Sequence, residues 1–76
     1  MKKYNEIIKD LREDREPKLN QKEVAKILGT TQQYYSEYEN GKRPLPIEHL
    51  KTLCTFYNVS ADYILGLPEN MPFPKR

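Results

Sequence analysis

The chain has 76 residues, of which 37% are apolar and 32% are charged, and its formal net charge is +2. A chain this short buries only about 60% of the surface that it exposes when unfolded, so its length excludes a second folded domain. No apolar stretch reaches the roughly 18 residues that a membrane span needs, and the charged N-terminus lacks the apolar centre of a secretory signal, so we expect a soluble, cytoplasmic protein with no membrane partner.

Cysteine and histidine occur once each, as Cys54 and His49. A single cysteine forms no intramolecular disulfide, and the two residues supply too few ligands for a structural zinc site. On a helix they would lie about 140° apart, which excludes a catalytic pair on one face. The sequence shows no nucleophile with a base, no metal-ligand cluster and no phosphate-binding glycine loop. We therefore expect neither an enzyme nor a bound cofactor, metal or small-molecule ligand.

The first half of the chain contains signals for two helices. An apolar stripe with helical spacing predicts a first helix over residues 3–15, and its members are Tyr4, Ile7, Ile8 and Leu11. Asn20 with Glu23 is typical of a capping box, in which each residue binds the backbone of the other. This pair predicts that a second helix begins there and extends over residues 21–28.

A third helix is predicted to follow after a very short turn that contains Gly29 and Thr30. Thr30 with Gln33 repeats the capping pattern, and the helix is expected to continue to Asn40. Its inward stripe is predicted to consist of Thr31, Tyr35 and Tyr38. Two short helices joined by a glycine-containing turn are the unit that helix-turn-helix proteins use, although ordinary helical hairpins share this spacing.

The last two predicted helices follow Pro46 and Ser60. Pro46 begins a fourth helix, whose apolar stripe contains Ile47, Leu50, Leu53, Cys54 and Tyr57. Ser60 is a typical N-cap for a short fifth helix over residues 61–65. The chain is thus predicted to be all-α, with a five-helix domain over residues 1–66 and a proline-rich, extended or disordered tail over residues 67–76.

The polar face of the third helix is rich in hydrogen-bonding groups. The residues predicted to point outward are Gln32, Gln33, Ser36, Glu37 and Asn40. An amide offers a donor and an acceptor that match N6 and N7 of adenine, and a carboxylate accepts from N4 of cytosine. An ordinary solvated helix face is the alternative. The formal charge excess lies in the same region, since residues 17–45 contain five basic and three acidic side chains.

Residues 20–44, NQKEVAKILGTTQQYYSEYENGKRP, resemble the DNA-binding domain of phage repressor and Cro proteins and of the related xenobiotic-response-element regulators of bacteria. Gln21, Ala25, Gly29 and the ENGK run at 39–42 lie at the spacing of that family. The resemblance extends over about residues 4–67, including SADYIL near the fifth helix. It implies a compact helix-turn-helix DNA-binding domain.

The resemblance also implies roles for single residues. Positions expected to face the major groove are Thr31, Gln32, Gln33, Ser36 and Glu37. Positions expected to contact phosphate are Gln21, Asn40 and Lys42, and the predicted DNA-binding set is completed by Tyr34 and Arg43. Ala25 is expected to let the second and third helices approach closely. Arg12 is placed beside Glu39, which predicts an ion pair between the first and third helices.

Together these observations predict a sequence-specific regulator of transcription that binds double-stranded DNA. We expect a repressor that acts as a homodimer, occupies a pseudo-palindromic operator and so blocks polymerase. Apolar residues near the C-terminus are expected to support self-association, and these are Leu65, Leu67, Met71 and Phe73. A protein-interaction module of the same fold, such as an antitoxin, is the first alternative, and an RNA-binding protein is the second.

Overall fold

Five helices build the part of the chain that the computed structural model describes, residues 2–67. In chain order they are α1 (Tyr4–Asp14), α2 (Gln21–Leu28), α3 (Gln32–Glu39), α4 (Ile47–Tyr57) and α5 (Ala61–Leu65). The predicted all-α fold with five helices is confirmed. Residues 3 and 15 were predicted as the two ends of the first helix, but their backbone is extended and they lie just outside it. Residues 68–76 of the predicted tail lie outside the described residues.

Local hydrogen bonds define the start and the end of α2. The Asn20 side chain accepts from the Glu23 backbone N–H at 2.8 Å, and the Glu23 carboxylate accepts from the Asn20 N–H at 3.1 Å. This reciprocal pair satisfies two backbone donors that a helix start otherwise leaves without partners, and it confirms the predicted capping box. Gly29 ends the helix with a left-handed backbone, φ +75°, a conformation that glycine adopts without steric cost.

The cap of α3 is Thr31, so the prediction of Thr30 was wrong by one residue. Thr31 Oγ1 accepts from the Tyr34 N–H at 3.1 Å, and α3 therefore begins at Gln32. Thr30 belongs instead to the end of α2, where its N–H donates to the Ala25 carbonyl at 3.0 Å. As a cap, Thr31 is exposed and does not belong to the inward stripe. The predicted last residue, Asn40, is the C-cap.

All five helices contribute to one apolar core. Its fully buried members are Ile8, Val24, Ala25, Leu28, Tyr35, Tyr38, Leu53 and Ile64. Full burial of an aliphatic side chain contributes about 1.5 to 3 kcal/mol, so this core is the main source of stability in a chain whose single cysteine can form no internal disulfide. Helices α2 and α3 pack against each other, and both contribute fully buried residues to this core, among them Ala25 from α2 and Tyr35 from α3.

The apolar stripe of α4 is buried only towards its middle. Leu53 is fully buried and Leu50 is half-buried, whereas Ile47 is 73% exposed. Ile47 therefore shares the helical spacing of the predicted stripe but does not contribute to the core. Burial along the stripe is greatest at Leu53, and Cys54 and Tyr57 after it are half-buried.

Candidate nucleic-acid interface

A shallow depression on the surface brings together most of the predicted site residues. It lies between the start of α2, the exposed face of α3 and the turn that follows α3. Its lining residues are Gln21, Gln32, Gln33, Ser36, Glu37, Asn40 and Lys42. All seven were predicted from the sequence. They supply amide, hydroxyl, carboxylate and ammonium groups, so the surface can donate to phosphate oxygens and exchange hydrogen bonds with base edges.

The position of these side chains follows from the packing of α3. Tyr35 and Tyr38 point into the core and contact each other edge to face, with ring centroids 6.3 Å apart. Because a helix has 3.6 residues per turn, burial of these two positions turns Gln32, Gln33 and Ser36 away from the core. Gln32 and Gln33 are exposed on the first turn, and Ser36 is half-buried one turn later. Thr31, the cap, lies at the start of the same face.

Two further predicted residues, Tyr34 and Arg43, form a cluster with Glu37 at the edge of the depression. The Arg43 guanidinium lies 4.2 Å above the centroid of the Tyr34 ring, and its Nε is 3.3 Å from Glu37 Oε2. Backbone N–H groups of Lys42 and Arg43 also donate to the Glu37 carbonyl, at 2.9 and 3.3 Å. Arg43 therefore offsets the one carboxylate on the exposed face of α3. The sequence predicted these residues singly but contained no signal for their mutual contacts.

Behind the depression lies a buried polar network. Arg12 donates from Nε to Glu39 Oε2 at 2.8 Å and from a terminal nitrogen to Glu39 Oε1 at 3.0 Å. The exposed fractions of Arg12 and Glu39 are only 7% and 5%, so the predicted ion pair between α1 and α3 is confirmed as a buried, bidentate pair. Arg12 also donates to the Leu19 carbonyl at 3.0 Å, and Gln21 Nε2 donates to Glu39 Oε1 at 3.0 Å.

The network shifts the pKa values of its members. Burial by itself raises the pKa of Glu39, but the hydrogen bonds from Arg12 and Gln21 outweigh burial and hold this pKa below its usual range. The hydrogen bond to Glu39 raises the pKa of Arg12. Burial raises the pKa of Tyr57 to about 12 and that of Tyr35 higher still, so both phenols stay neutral. The pair is therefore charged at neutral pH, and the two tyrosines beside it are not.

Two buried hydroxyl groups have no hydrogen-bond partner among residues 2–67. These are Tyr35 Oη and Tyr57 Oη. In the same part of the chain, no three His, Cys, Asp or Glu side chains come close enough to hold a metal ion. No helix of the described residues is long and apolar enough to cross a membrane.

The fold and the polar face of α3 define a class of protein, and comparison with known families agrees with it. A helix-turn-helix family profile matches residues 8–64. The chain therefore belongs to the helix-turn-helix family of the Cro/C1 type, whose members include DNA-binding regulators. This confirms the resemblance described from residues 20–44.

A curated relative gives a second comparison. Over 58 residues the chain is 38% identical to YobD of Bacillus subtilis (strain 168), an uncharacterised HTH-type transcriptional regulator. The match covers 76% of this chain and 51% of YobD, so the chain matches about half the length of that relative. No solved structure shows significant similarity to the chain.

Proposed function

We propose that the chain is a transcriptional regulator that binds double-stranded DNA in a sequence-specific manner through α3. One observation carries this proposal: the exposed face of α3 and its C-cap hold five polar side chains, and Gln21 and Lys42, which can donate hydrogen bonds to phosphate, flank them. An ordinary solvated face would not need amides and hydroxyl groups concentrated beside the start of a neighbouring helix. Membership in the helix-turn-helix family supports the same conclusion.

Base contacts are assigned to the first half of α3. Gln32 and Gln33 lie on its first turn, the end that enters the major groove in this type of domain. Gln33 can bind adenine through both amide atoms, and Glu37, one turn later, can accept from cytosine N4. The hydroxyl groups of Thr31 and Ser36 can donate or accept and so adapt to either base.

Phosphate contacts are assigned to the rim of the depression. Gln21, Asn40 and Lys42 lie on its two sides, where the sugar-phosphate backbones would run if α3 occupied the groove. Arg43, held over Tyr34, adds a second cation next to Lys42. Because Arg43 also pairs with Glu37, the negative charge on α3 is offset before DNA arrives, which reduces repulsion from phosphate.

We further propose that the regulator is a repressor and acts as a homodimer. Two copies related by a two-fold axis would place two α3 helices in successive major grooves, about 34 Å apart, on a pseudo-palindromic site. Occupancy of that site would block polymerase without any chemical step. The exposed apolar side chains of α5, Tyr63 and Leu65, support a contact between copies on the side of the domain where the described chain ends.

Selection of bound duplexes from a random library tests the proposal. We expect enrichment of a motif with two half-sites whose centres are about 10 base pairs, or a multiple of that, apart. Binding measured at two salt concentrations should weaken as salt rises, because phosphate contacts release counterions. A double variant, Gln32→Ala with Gln33→Ala, is the control and should enrich no motif of comparable sharpness.

Other outcomes would support the alternative functions. Recovery of no motif, together with purification in a fixed complex with a second protein, would contradict DNA regulation and support an interaction module such as an antitoxin. Preference for single-stranded RNA over the duplex library would support an RNA-binding protein instead.

A further inference from the structure

Gln21 is the only residue of the depression whose side chain is held by the buried ion pair. Its Nε2 donates to Glu39 Oε1 at 3.0 Å, and Gln21 is itself half-buried at the first position of α2. Glu39 is 5% exposed and does not line the depression. Gln32 and Gln33, by contrast, are exposed, and the described residues provide no hydrogen-bond partner for their amides.

We propose that Glu39 is a positioning residue, which aims the Gln21 amide at a DNA phosphate without touching DNA itself. The inference rests on the proposed function and assigns a DNA-binding role to two residues of the core, Glu39 and Arg12. Glu39 contributes through the orientation of Gln21, and Arg12 contributes by holding Glu39 in place and balancing its charge.

The chemistry of the carboxylate explains the orientation. An ionised carboxylate only accepts hydrogen bonds, so it selects the nitrogen end of the Gln21 amide rather than its oxygen end. One N–H of Nε2 is used by Glu39, and the second remains able to donate to a phosphate oxygen. A side chain that is already ordered loses little freedom on binding, and this saving corresponds to about 2- to 10-fold in affinity.

Contacts from α1 hold Glu39 in place. Arg12 binds both carboxylate oxygens, and Asn5 Nδ2 donates to the Glu39 backbone carbonyl at 3.3 Å. Arg12 also supplies the positive charge that Glu39 needs near DNA, since an uncompensated carboxylate beside a phosphate would repel it. A continuous series of hydrogen bonds therefore runs from Arg12 on α1 through Glu39 at the end of α3 to Gln21 at the start of α2, on the surface proposed to face DNA.

A scan with methylphosphonate linkages tests this role. In a duplex recovered by the library selection, each phosphate is replaced in turn by an uncharged methylphosphonate, and binding of the full chain is measured. The phosphate whose replacement weakens the unmodified chain but not Gln21→Met is the one that Gln21 binds. A charge-assisted hydrogen bond of this kind is expected to account for about tenfold in affinity.

The decisive variant is Glu39→Gln. We expect the methylphosphonate at the Gln21 phosphate to reduce the affinity of this variant by less than about threefold, although Glu39 makes no contact with DNA. Lys42 is the matched control: the penalty at its phosphate, identified with Lys42→Ala, should stay unchanged in Glu39→Gln. A purely structural role for Glu39 would instead change the penalties at several phosphates together.

A second variant covers the case in which Glu39→Gln does not fold. The double variant Arg12→Met with Glu39→Met leaves no buried charge unpaired, a replacement that folded proteins often tolerate, and the same loss of the Gln21 penalty is expected. NMR relaxation of side-chain amides needs no variant at all. In the free chain the Gln21 amide should be rigid while those of Gln32 and Gln33 are mobile.

The outcomes separate the two proposals. One outcome would overturn the positioning role and leave DNA binding intact. In it, a variant without Glu39 binds the selected duplex and still loses the full affinity when the phosphate bound by Gln21 is replaced. A Gln21 amide as mobile as that of Gln32 would overturn the positioning role as well. Failure of the unmodified chain to bind any duplex would overturn the proposed function and this inference together.

Discussion

At the scale of single residues, the buried pair of Arg12 and Glu39 dominates the polar interactions of the domain. Both charges are removed from water, and the cost of their desolvation is offset only because the contact is bidentate and neighbouring groups complete it. Such a pair adds little net stability over a well-packed apolar pair of the same volume. Loss of one partner is costly, since the other remains buried without a counter-ion.

We therefore expect Arg12→Met to lower the free energy of unfolding by about 3 to 5 kcal/mol. Arg43→Met, which breaks the exposed pair with Glu37, should cost under about 1 kcal/mol and serves as the control. Urea denaturation at neutral pH measures both. Equal denaturation midpoints for Arg12→Met and the unmodified chain would show that the pair does not stabilise the fold.

The lowered pKa of Glu39 predicts a loss of stability in acid. In the unfolded chain this carboxyl titrates near its ordinary value, about 4.3, whereas in the folded chain its pKa is lower. The unfolded chain therefore binds the proton first as pH falls. The contribution of Glu39 is complete above about pH 5 and is lost as pH falls through its native pKa.

The double variant Arg12→Met with Glu39→Met isolates this contribution. Its urea midpoint should fall less between pH 7 and pH 3 than that of the unmodified chain, because the other carboxyl groups are common to both. Parallel pH profiles for the two chains would contradict a native-state stabilisation of the Glu39 carboxylate.

At the scale of the elements, two helices end at glycines of nearly the same backbone conformation. Gly29 ends α2 with φ +75° and Gly66 ends α5 with φ +73°. A Cβ at position 29 would meet no atom within 4 Å, whereas at position 66 it would lie 3.1 Å from the Lys2 carbonyl oxygen. Alanine would cause similar backbone strain at both positions, but only at position 66 would its Cβ also be crowded by another atom.

Gly29→Ala should thus cost about 1 kcal/mol, the strain of a left-handed residue with a side chain. Gly66→Ala should cost more, because the backbone of residue 2 must also move. Urea denaturation of the two variants measures the difference. A smaller loss of stability for Gly66→Ala than for Gly29→Ala would show that the backbone at residue 2 can move without destabilising the fold.

For α3, substitutions should separate base recognition from phosphate binding. Gln33→Ala is expected to remove about 1 to 3 kcal/mol of discrimination at one base pair in each half-site, with little change in salt dependence. Lys42→Ala should weaken binding to specific and random duplexes alike and reduce the salt slope by about 0.9. Titration of both variants on both duplexes at several salt concentrations makes the comparison. Equal loss of affinity by Gln33→Ala on every duplex would contradict base reading by α3.

At the scale of the whole molecule, apolar side chains remain on the surface near the end of the described chain. Tyr63, Leu65 and Leu67 are 56%, 44% and 38% exposed. The residues that follow contain Met71 and Phe73 but lie outside the described residues. Because an exposed apolar surface is typical of a protein contact, we expect a second copy of the chain to bind here.

Removal of residues 68–76 should weaken self-association at least about tenfold, the effect of leaving one large apolar side chain unburied. Affinity for the selected duplex should fall with it, and helicity should not change. Removal of residues 75–76 alone keeps Met71 and Phe73 and is the matched control. Sedimentation of the three chains measures the dimer constants, and equal constants would refute the role of the tail, though not dimerisation elsewhere.

Much of this protein follows from its sequence because the signals are local. The Asn20 and Glu23 pair predicted the start of α2, and Ser60 predicted the start of α5, since a cap and its partner are three residues apart and bind each other directly. Likewise, the helical spacing of Tyr35 and Tyr38 predicted which face of α3 is buried and therefore which side chains face solvent.

The tertiary structure decided the features that depend on where helices cross. Whether Thr30 or Thr31 caps α3 depends on how α2 ends, and the exposure of Ile47 depends on how far the other helices extend over α4. The contact of Gln21 with Glu39 spans 18 positions and the contact of Arg43 with the Tyr34 ring crosses a turn. Spacing along one helix carries no information about such contacts, because they arise only when packing of the apolar faces brings separate segments together.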